Sequence, residues 1–353
     1  MHLFNDRNSN FKILNPINVD DWNSQVLKFE DYSFFHSKEW AKVLVESYLF
    51  IPTYFAYFEN DELIAAVPMM LTKSWLTGNR VVSLPFSDFC EPLFKEQVPS
   101  ERIIIEIVNH FKNEKLKYLE FRSSKNRYPF ETKNFRTDLR HVLKLDKGET
   151  ELLKTFSENT KRNIKKAKKA NLVLKILNDE TGVKVFFNMN CETRKKHGLP
   201  PQPFSFFNSL LKNVIQEGLG DILLAEKDGN YIAGAVYLKF GKKLLYKFGA
   251  SYSKYFDLRG NNFVMWEAIK KYLAEGFDEF DFGRTELGHE GLKRFKLGWN
   301  TEELSIYTTR YNMDKKEFLP AAIQTQGFHN TIFSRSPIFL LKLIGNTLYK
   351  HVG

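Results

Sequence analysis

Cysteine is scarce: the 353 residues hold two, Cys90 and Cys191. Two lone thiols exclude a disulfide framework and a thiolate metal cluster, and they suit a reducing cytosol. No apolar run reaches the roughly 20 residues of a membrane span. The first residues, MHLFNDRNSNFKIL, hold no continuous apolar stretch of the signal-peptide kind. Negative charge is also short: 42 Asp and Glu face 52 Lys and Arg, for a formal charge of +10 and an isoelectric point near 9.2. That balance favours anionic partners, whether nucleic acid, phosphorylated nucleotides or an anionic membrane surface, and does not choose among them. Aromatic residues are plentiful, with 33 Phe, which excludes a disordered chain. The length predicts two domains of ordinary size.

Residues 1–148 read as the first domain. Asp20 and Asp21 precede a helix through Trp22, Val26 and Leu27. HSKEWAKVLVES repeats the helical pattern through Trp40, Val43 and Leu44. Two apolar strands joined at Asn60-Asp61 form a hairpin. A helix with Ile103, Ile107 and Phe111 on one face follows, then a strand up to Arg122. The strand LRHVLKL, Leu139 to Leu145, closes this half. Helices interleaved with a hairpin and single strands predict an α/β arrangement.

Residues 149–315 read as the second domain. Its first long segment, TFSENTKRNIKKAKKANLVLKIL, is the most basic in the chain. It leaves only Phe156, Ile164 and Ala167 for burial, so Arg162, Lys165 and Lys166 are candidate anion-binding residues. A helix then ends in Arg194-Lys195-Lys196-His197 before Gly198, and a stiff Pro200-Pro201-Gln202-Pro203 connector follows. Asp228-Gly229-Asn230 and Gly241-Lys242 join three strands into a meander. Residues 316–353 read as a helical tail, apolar on much of its surface, which packs on the protein or lies at a membrane surface.

Chemistry concentrates in FDEFDFGRTELGHEGLKRFKLGWN, Phe277 to Asn300. It opens as a strand, is expected to break at Gly283, and continues as a short helix with Leu292, Phe295 and Trp299 at helical spacing. A strand end that delivers acids and fixed cations into one place suits an α/β ligand site. Asp281, Glu286 and Glu290 are candidate acids or bases. Arg284, Lys293 and Lys296 are candidate anion clamps. Lys296 follows Phe295, expected to take the buried side of the helix, so Lys296 should point to the helix flank and share a cavity with Arg284 beside Asp281. Tyr246 is a candidate for orienting a polar group, and His289 a weaker candidate base. Arg259, Gly260 and Asn261 precede a helix N-terminus, a place that favours a donor phosphate.

The second half resembles the FemAB-like branch of the GNAT acyltransferase superfamily, also described as the BioF2-like acetyltransferase type. The likeness lies in ENTKRNIKKAKKANLVLKI, in ETRKKHGLPPQP and in FDFGRTELGHEGLKRFKLGWN. FHSKEW, AVPMMLTKS and VVSLPFSD extend it through the first half. The resemblance implies tandem GNAT-like domains, each a mixed, largely antiparallel sheet flanked by helices. It implies transfer of an acyl or aminoacyl group to an amine in cell-envelope construction, from acyl-CoA or aminoacyl-tRNA, with no metal. It makes Arg194, His197, Tyr246 and Lys293 candidates for binding an anionic precursor: a sugar nucleotide, a lipid-linked precursor or a peptide. Asp257 to Asn262 carries an Arg and one Gly but not the full Gln/Arg-x-x-Gly-x-Gly/Ala pattern of CoA-dependent relatives, so tRNA stays open as a partner, as does peripheral contact with the inner face of the membrane. A second reading is a non-catalytic basic module that binds anionic lipid or nucleic acid on a degenerate transferase fold.

Overall fold

The computed structural model describes residues 9–95, 100–124, 135–320 and 329–352. They pack as two compact units: Met1–Asp138 with Ser305–Gln324 and Lys350–Gly353, and Leu139–Leu304 with Thr325–Tyr349. The first two changes of unit fall inside strands, at Asp138/Leu139 and Leu304/Ser305, and not in the loops expected near 148 and 315. Residues 139–148 thus pack with the second unit, residues 305–315 with the first, and the expected tail is shared between them.

In the first unit, β1 (Ser9–Leu14), β3 (Tyr54–Glu59), β4 (Glu62–Val67) and β7 (Leu93–Phe94) form an antiparallel sheet in that order. Asn60 and Asp61 join β3 to β4 with φ of 49° and 64°, the two left-handed residues that a tight hairpin needs. A second run of strands goes β2 (Ile51–Pro52), β5 (Met70–Thr72), β6 (Arg80–Val82), β8 (Tyr118–Ser123) and β15 (Glu302–Asn312). Helices α1 (Trp22–Val26), α2 (Lys38–Tyr48) and α3 (Ser100–Phe111) belong to this unit. Ser37 caps α2 by accepting the Trp40 N–H at 3.2 Å. The periodic apolar face of α3, with Ile103, Ile107 and Phe111, packs on Phe55, Val81, Leu119 and Phe121.

The second unit carries β10 (Val173–Ile176), β11 (Gly220–Lys227), β12 (Asn230–Phe240), β13 (Lys243–Ser251) and β14 (Glu279–Glu286), with β9 (Arg136–Lys144) next to β14. Its helices include α4 (Glu149–Thr155), α5 (Glu158–Lys169), α6 (Glu180–Lys196), α7 (Phe204–Leu210), α8 (Gly260–Ala274) and α9 (Glu290–Leu297). Alternation along β12 puts α6 and α8 on opposite faces. Ala233, Ala235 and Tyr237 join the core that holds Phe263, Val264 and Trp266 of α8. Gly234, between them, faces Phe186 of α6. Phe156, Ile164 and Ala167 join the α8-side core, so the basic α5 buries the three residues expected of it.

Glu120 of β8 is buried and accepts from Arg122 Nε at 2.7 Å and Arg310 Nε at 2.5 Å. Burial raises its pKa, but the two guanidinium groups outweigh that and hold it at about 2. A depressed carboxylate pKa stabilises the fold above the unfolded value and loses that contribution as pH falls through the folded one. Glu120 should therefore contribute about 3 kcal/mol above roughly pH 4.5, draining away toward pH 2. Glu120→Gln should destabilise by about 3 kcal/mol near neutrality, because it strands two guanidinium groups. Its melting temperature should also fall less than that of the parent between about pH 6 and pH 3. Equal pH slopes for the two proteins would show that Glu120 is not the titrating group.

Candidate functional site

β13 and β14 are parallel but pair only at Lys243–Glu279, Leu244–Phe280 and Leu245–Asp281. β13 runs on to Ser251 and β14 to Glu286, so the two strands leave a wedge between them. A bulge shapes the wedge. On β12, Val236 pairs with Phe248 while Tyr237 pairs with Tyr246, so the register skips Lys247. The extra residue reverses the side on which later residues fall. Tyr246 packs on Tyr237 in the α8-side core, at 5.7 Å between ring centroids. Phe248, two positions on, packs instead on Phe206 and Phe207 of the α7 segment. The Tyr246 hydroxyl oxygen would lie 1.6 Å from a Cβ on Gly249, so only glycine lets that ring cross the strand. Burial pushes the Tyr246 hydroxyl up to about 12, which keeps it a donor at neutral pH.

α8 begins just past the end of β13. Arg259 takes a left-handed conformation at φ 58°, and no side chain caps the helix. The first N–H groups of α8, at Gly260, Asn261 and Asn262, are of the kind that has no intrahelical partner. A Cβ on Gly260 would stand 2.8 Å from the Ala233 Cβ, so this close approach also needs glycine. Arg259 Nε is buried without a hydrogen-bond partner. Lys166 of α5 reaches to 4.0 Å from Asp257, beside this turn. Arg162 and Lys165 are exposed on the same helix, with Arg162 bonded to Asn159 Oδ1 at 2.7 Å. Of the three anion-binding candidates, Lys166 thus reaches the turn that precedes the donor-binding candidates.

The strand end differs from expectation in two ways. β14 does not break at Gly283; it continues to Glu286, with Gly283 at φ 71° and Arg284 inside the strand. The residue α9 buries is Lys296, 2% exposed, while Phe295 is only half-buried. The Lys296 ammonium donates to the carbonyl oxygens of Gly283 at 2.7 Å and Arg284 at 3.0 Å. A buried ammonium needs such acceptors, and the turned backbone at Gly283 supplies them. Lys296 thus meets Arg284 through its main chain, while the Arg284 guanidinium lies 3.9 Å from Glu286. Glu303 pairs with Lys293, at 2.9 Å. Both Asp281 oxygens are engaged, one by the Gly283 N–H at 2.7 Å and the other by Arg140 Nε at 2.6 Å. His289 caps α9, accepting from the Leu292 N–H at 3.3 Å, and Glu290 and Glu286 are exposed.

Two neighbours here, Arg140 and His141, were not among the residues singled out from sequence. Arg140 of β9 bridges Asp281 and Glu279, the latter at 3.1 Å. His141 is fully buried, with Nε2 3.3 Å from Glu303 Oε2 and Nδ1 3.5 Å from Thr285 Oγ1. Burial, then the charge of Lys296, lowers the His141 pKa against the opposing pull of Glu303. The only signal in sequence was an Arg-His pair inside an otherwise apolar strand.

The end of α6 divides its charges. Arg194 turns away to Pro200 O at 3.2 Å and the Tyr349 hydroxyl at 2.9 Å. Lys195 and Lys196 instead line a cavity of about 570 Å³ with Tyr231, Tyr252, Lys254 and Tyr255. His197 is exposed, and partial burial together with Arg194, Lys196 and His289 lowers its pKa. Among the described residues, no three His, Cys, Asp or Glu side chains gather to hold a metal ion.

Residues 154–297 match the family model for the acetyltransferase (GNAT) domain. Over 95 residues the chain is 32% identical to the lipid II:glycine glycyltransferase of Staphylococcus epidermidis, a match that covers 25% of this chain and 23% of that enzyme. The chain therefore spans less than a quarter of that relative's length. The crystal structure of FemX aligns with a TM-score of 0.69 at 15% identity, over 87% of this chain and 98% of FemX. A tandem GNAT protein from the clavulanic acid biosynthesis pathway aligns at 0.50 and 10% identity, over 86% and 98%. The fold is thus the tandem GNAT arrangement that the sequence resemblance implied.

His141 is held neutral, so it binds protons less readily than in the unfolded chain. Its contribution to stability is complete above about pH 6.5 and falls as pH drops below that value. Lys296→Met removes the charge that, after burial, does most to lower the His141 pKa, and should move its titration back up toward the ordinary range, as read by NMR of the imidazole nitrogens. An unmoved His141 titration in a folded Lys296→Met protein would disprove the coupling.

Proposed function

We propose that this chain, whose residues 154–297 match the acetyltransferase (GNAT) domain, is a FemAB-like acyltransferase that transfers an acyl or aminoacyl group to an amine of a cell-envelope precursor. The observation that carries this reading is the wedge between β13 and β14, which ends at the uncapped N-terminus of α8. An activated donor needs a seat for its phosphates and a protected place for its carbonyl. Arg259 and the backbone of Gly260 and Asn261 supply the first, with Lys166, Lys165 and Arg162 alongside. The wedge supplies the second. Acyl-CoA and aminoacyl-tRNA both meet these needs, and the glycyl transfer named for the staphylococcal relative favours the aminoacyl form.

The acceptor side is the cavity at the end of α6, where Lys195, Lys196 and Lys254 suit an anionic precursor. The acceptor class that fits is a lipid-linked precursor, sugar nucleotide or peptide with a free amine. Arg194 holds the helix end in place, and His197 follows directly after the α6 cations. In the reaction the amine nitrogen attacks the donor carbonyl carbon. The new N–C bond forms, the C–S or C–O bond to the donor breaks, and the proton lost by nitrogen balances the one gained by the leaving atom. The buried Lys296 charge and the protonated Tyr246 hydroxyl stabilise the oxyanion. Glu286 receives the amine proton, and Asp281, tied to Arg140, fixes the strand end. Arg284 steadies Glu286 and adds positive charge for the acceptor. Cys90 and Cys191 are free and buried, which suits a cytosolic reaction.

Mass spectrometry of envelope precursors with and without the gene should show an added acyl or aminoacyl mass. With the purified protein, Lys296→Met should lower turnover about 100- to 1000-fold. Arg259→Ala should weaken donor binding by roughly tenfold, the loss expected for a charge-assisted bond, and titrations with CoA and with charged tRNA identify the donor. No added mass, together with nucleic-acid binding whose salt slope falls by about one unit for each of Arg162, Lys165 and Lys166 neutralised, would replace the transferase with the binding-module reading.

A further inference from the structure

The chain after Glu317 holds no acidic residue, yet it carries Arg335, Lys342 and Lys350. In the second unit it forms α10 (His329–Arg335) and α11 (Ile338–Leu348). One side of α11 is fastened to the protein. Leu341 is fully buried, and a Cβ on Gly345 would stand 2.1 Å from the Pro201 carbonyl oxygen. Just past the helix, the Tyr349 hydroxyl donates to Pro200 O at 3.0 Å. The opposite side has no such cover. Phe339 is 74% exposed and Leu343 60%, one helical turn apart on the same stripe, with Leu340 next along the helix at 38%, and Ile332 of α10 is 50% exposed. Beside this stripe runs an apolar groove of about 360 Å³, floored by Phe187 and Phe204 and rimmed by Lys184 and Lys342.

We propose that the exposed face of α10 and α11 seats on an anionic phospholipid surface. Large apolar side chains held out on a fixed helix, among cations and without acids, suit a helix that lies in the plane of a bilayer interface. Phe339, Leu340 and Leu343 enter the headgroup–acyl boundary. Lys342, at the groove rim, meets headgroup phosphates, and Arg335 adds to the same field, while Lys184 is paired with Glu180 at 3.2 Å. Charge complementarity selects this occupant over a second copy of the chain, which would bring the same cations face to face. The inference stands apart from the transfer chemistry, because membrane seating is read without donor or acceptor.

The test is co-sedimentation of the full chain with vesicles of phosphatidylglycerol and phosphatidylcholine, beside vesicles of phosphatidylcholine alone. Wild type should bind the anionic vesicles and release as salt rises. Phe339→Asp with Leu343→Asp should lower the partition coefficient at least tenfold, with an unchanged melting temperature because both sites are exposed. Lys342→Glu should weaken binding to anionic vesicles alone. Failure of the wild type to bind, or binding that the double variant leaves intact, overturns the proposal. So does a wild-type dimer by light scattering that the double variant converts to monomer, since that assigns the face to self-association.

Discussion

Everything in the second unit is placed by the inability of β13 and β14 to stay paired. Backbone N–H and C=O groups normally find partners, and leaving a row of them open between adjacent strands is costly. The bulge at Lys247 imposes that opening. It sends Tyr246 toward α8 and Phe248 toward α7, and β13 then turns into the start of α8. The uncapped amides of α8 and the open strand edges therefore face the same gap. A ligand with a phosphate at one end and a flat carbonyl at the other satisfies both. The arrangement is rigid because both contact glycines, Gly249 and Gly260, leave no room for a Cβ.

The charges beside the gap obey the same logic of partnership. An unpaired buried ion is far costlier than a paired one. Arg140 accordingly divides itself between Glu279 and Asp281, and Lys144 takes the second oxygen of Glu279 at 2.8 Å. The Lys296 ammonium is held by the carbonyl dipoles of Gly283 and Arg284. Burial first, and the Lys296 charge second, lower the His141 pKa at the end of β14. A transition state that gains negative charge there gains from a field already in position.

Much of this was legible in sequence, and the failures have physical causes. Alternating and helical periodicity located α3, α5, α6, α8 and the meander, because each buries one regular face. The hairpin at Asn60-Asp61 was legible because only a few residue types tolerate two left-handed positions. Lys296 was singled out but placed on the wrong side of its helix. Helical-wheel logic assumes that apolar residues take the inside, and here the ammonium does, because Gly283 turns two carbonyls toward it. Arg140 and His141 went unremarked because their partners lie at Asp281 and Glu303, far along the chain. The unit boundaries were missed because the chain changes unit within strands, where composition does not shift.

The return of residues 305–324 to the first unit has a consequence for the nascent chain. Tyr118 of β8 pairs with Asn312 of β15, 194 positions later. A ribosome adds roughly 5–20 residues per second, so β8 waits on the order of 10–40 s for that partner. Meanwhile the whole of Leu139–Leu304 emerges and has time to collapse on its own. Vectorial synthesis thus lets most of the second unit, begun later, form before β8 of the first meets its partner, although Thr325–Tyr349 joins the second unit only afterwards. Until Arg310 leaves the exit tunnel, Glu120 lacks one of the two guanidinium groups that hold its charge in the finished fold.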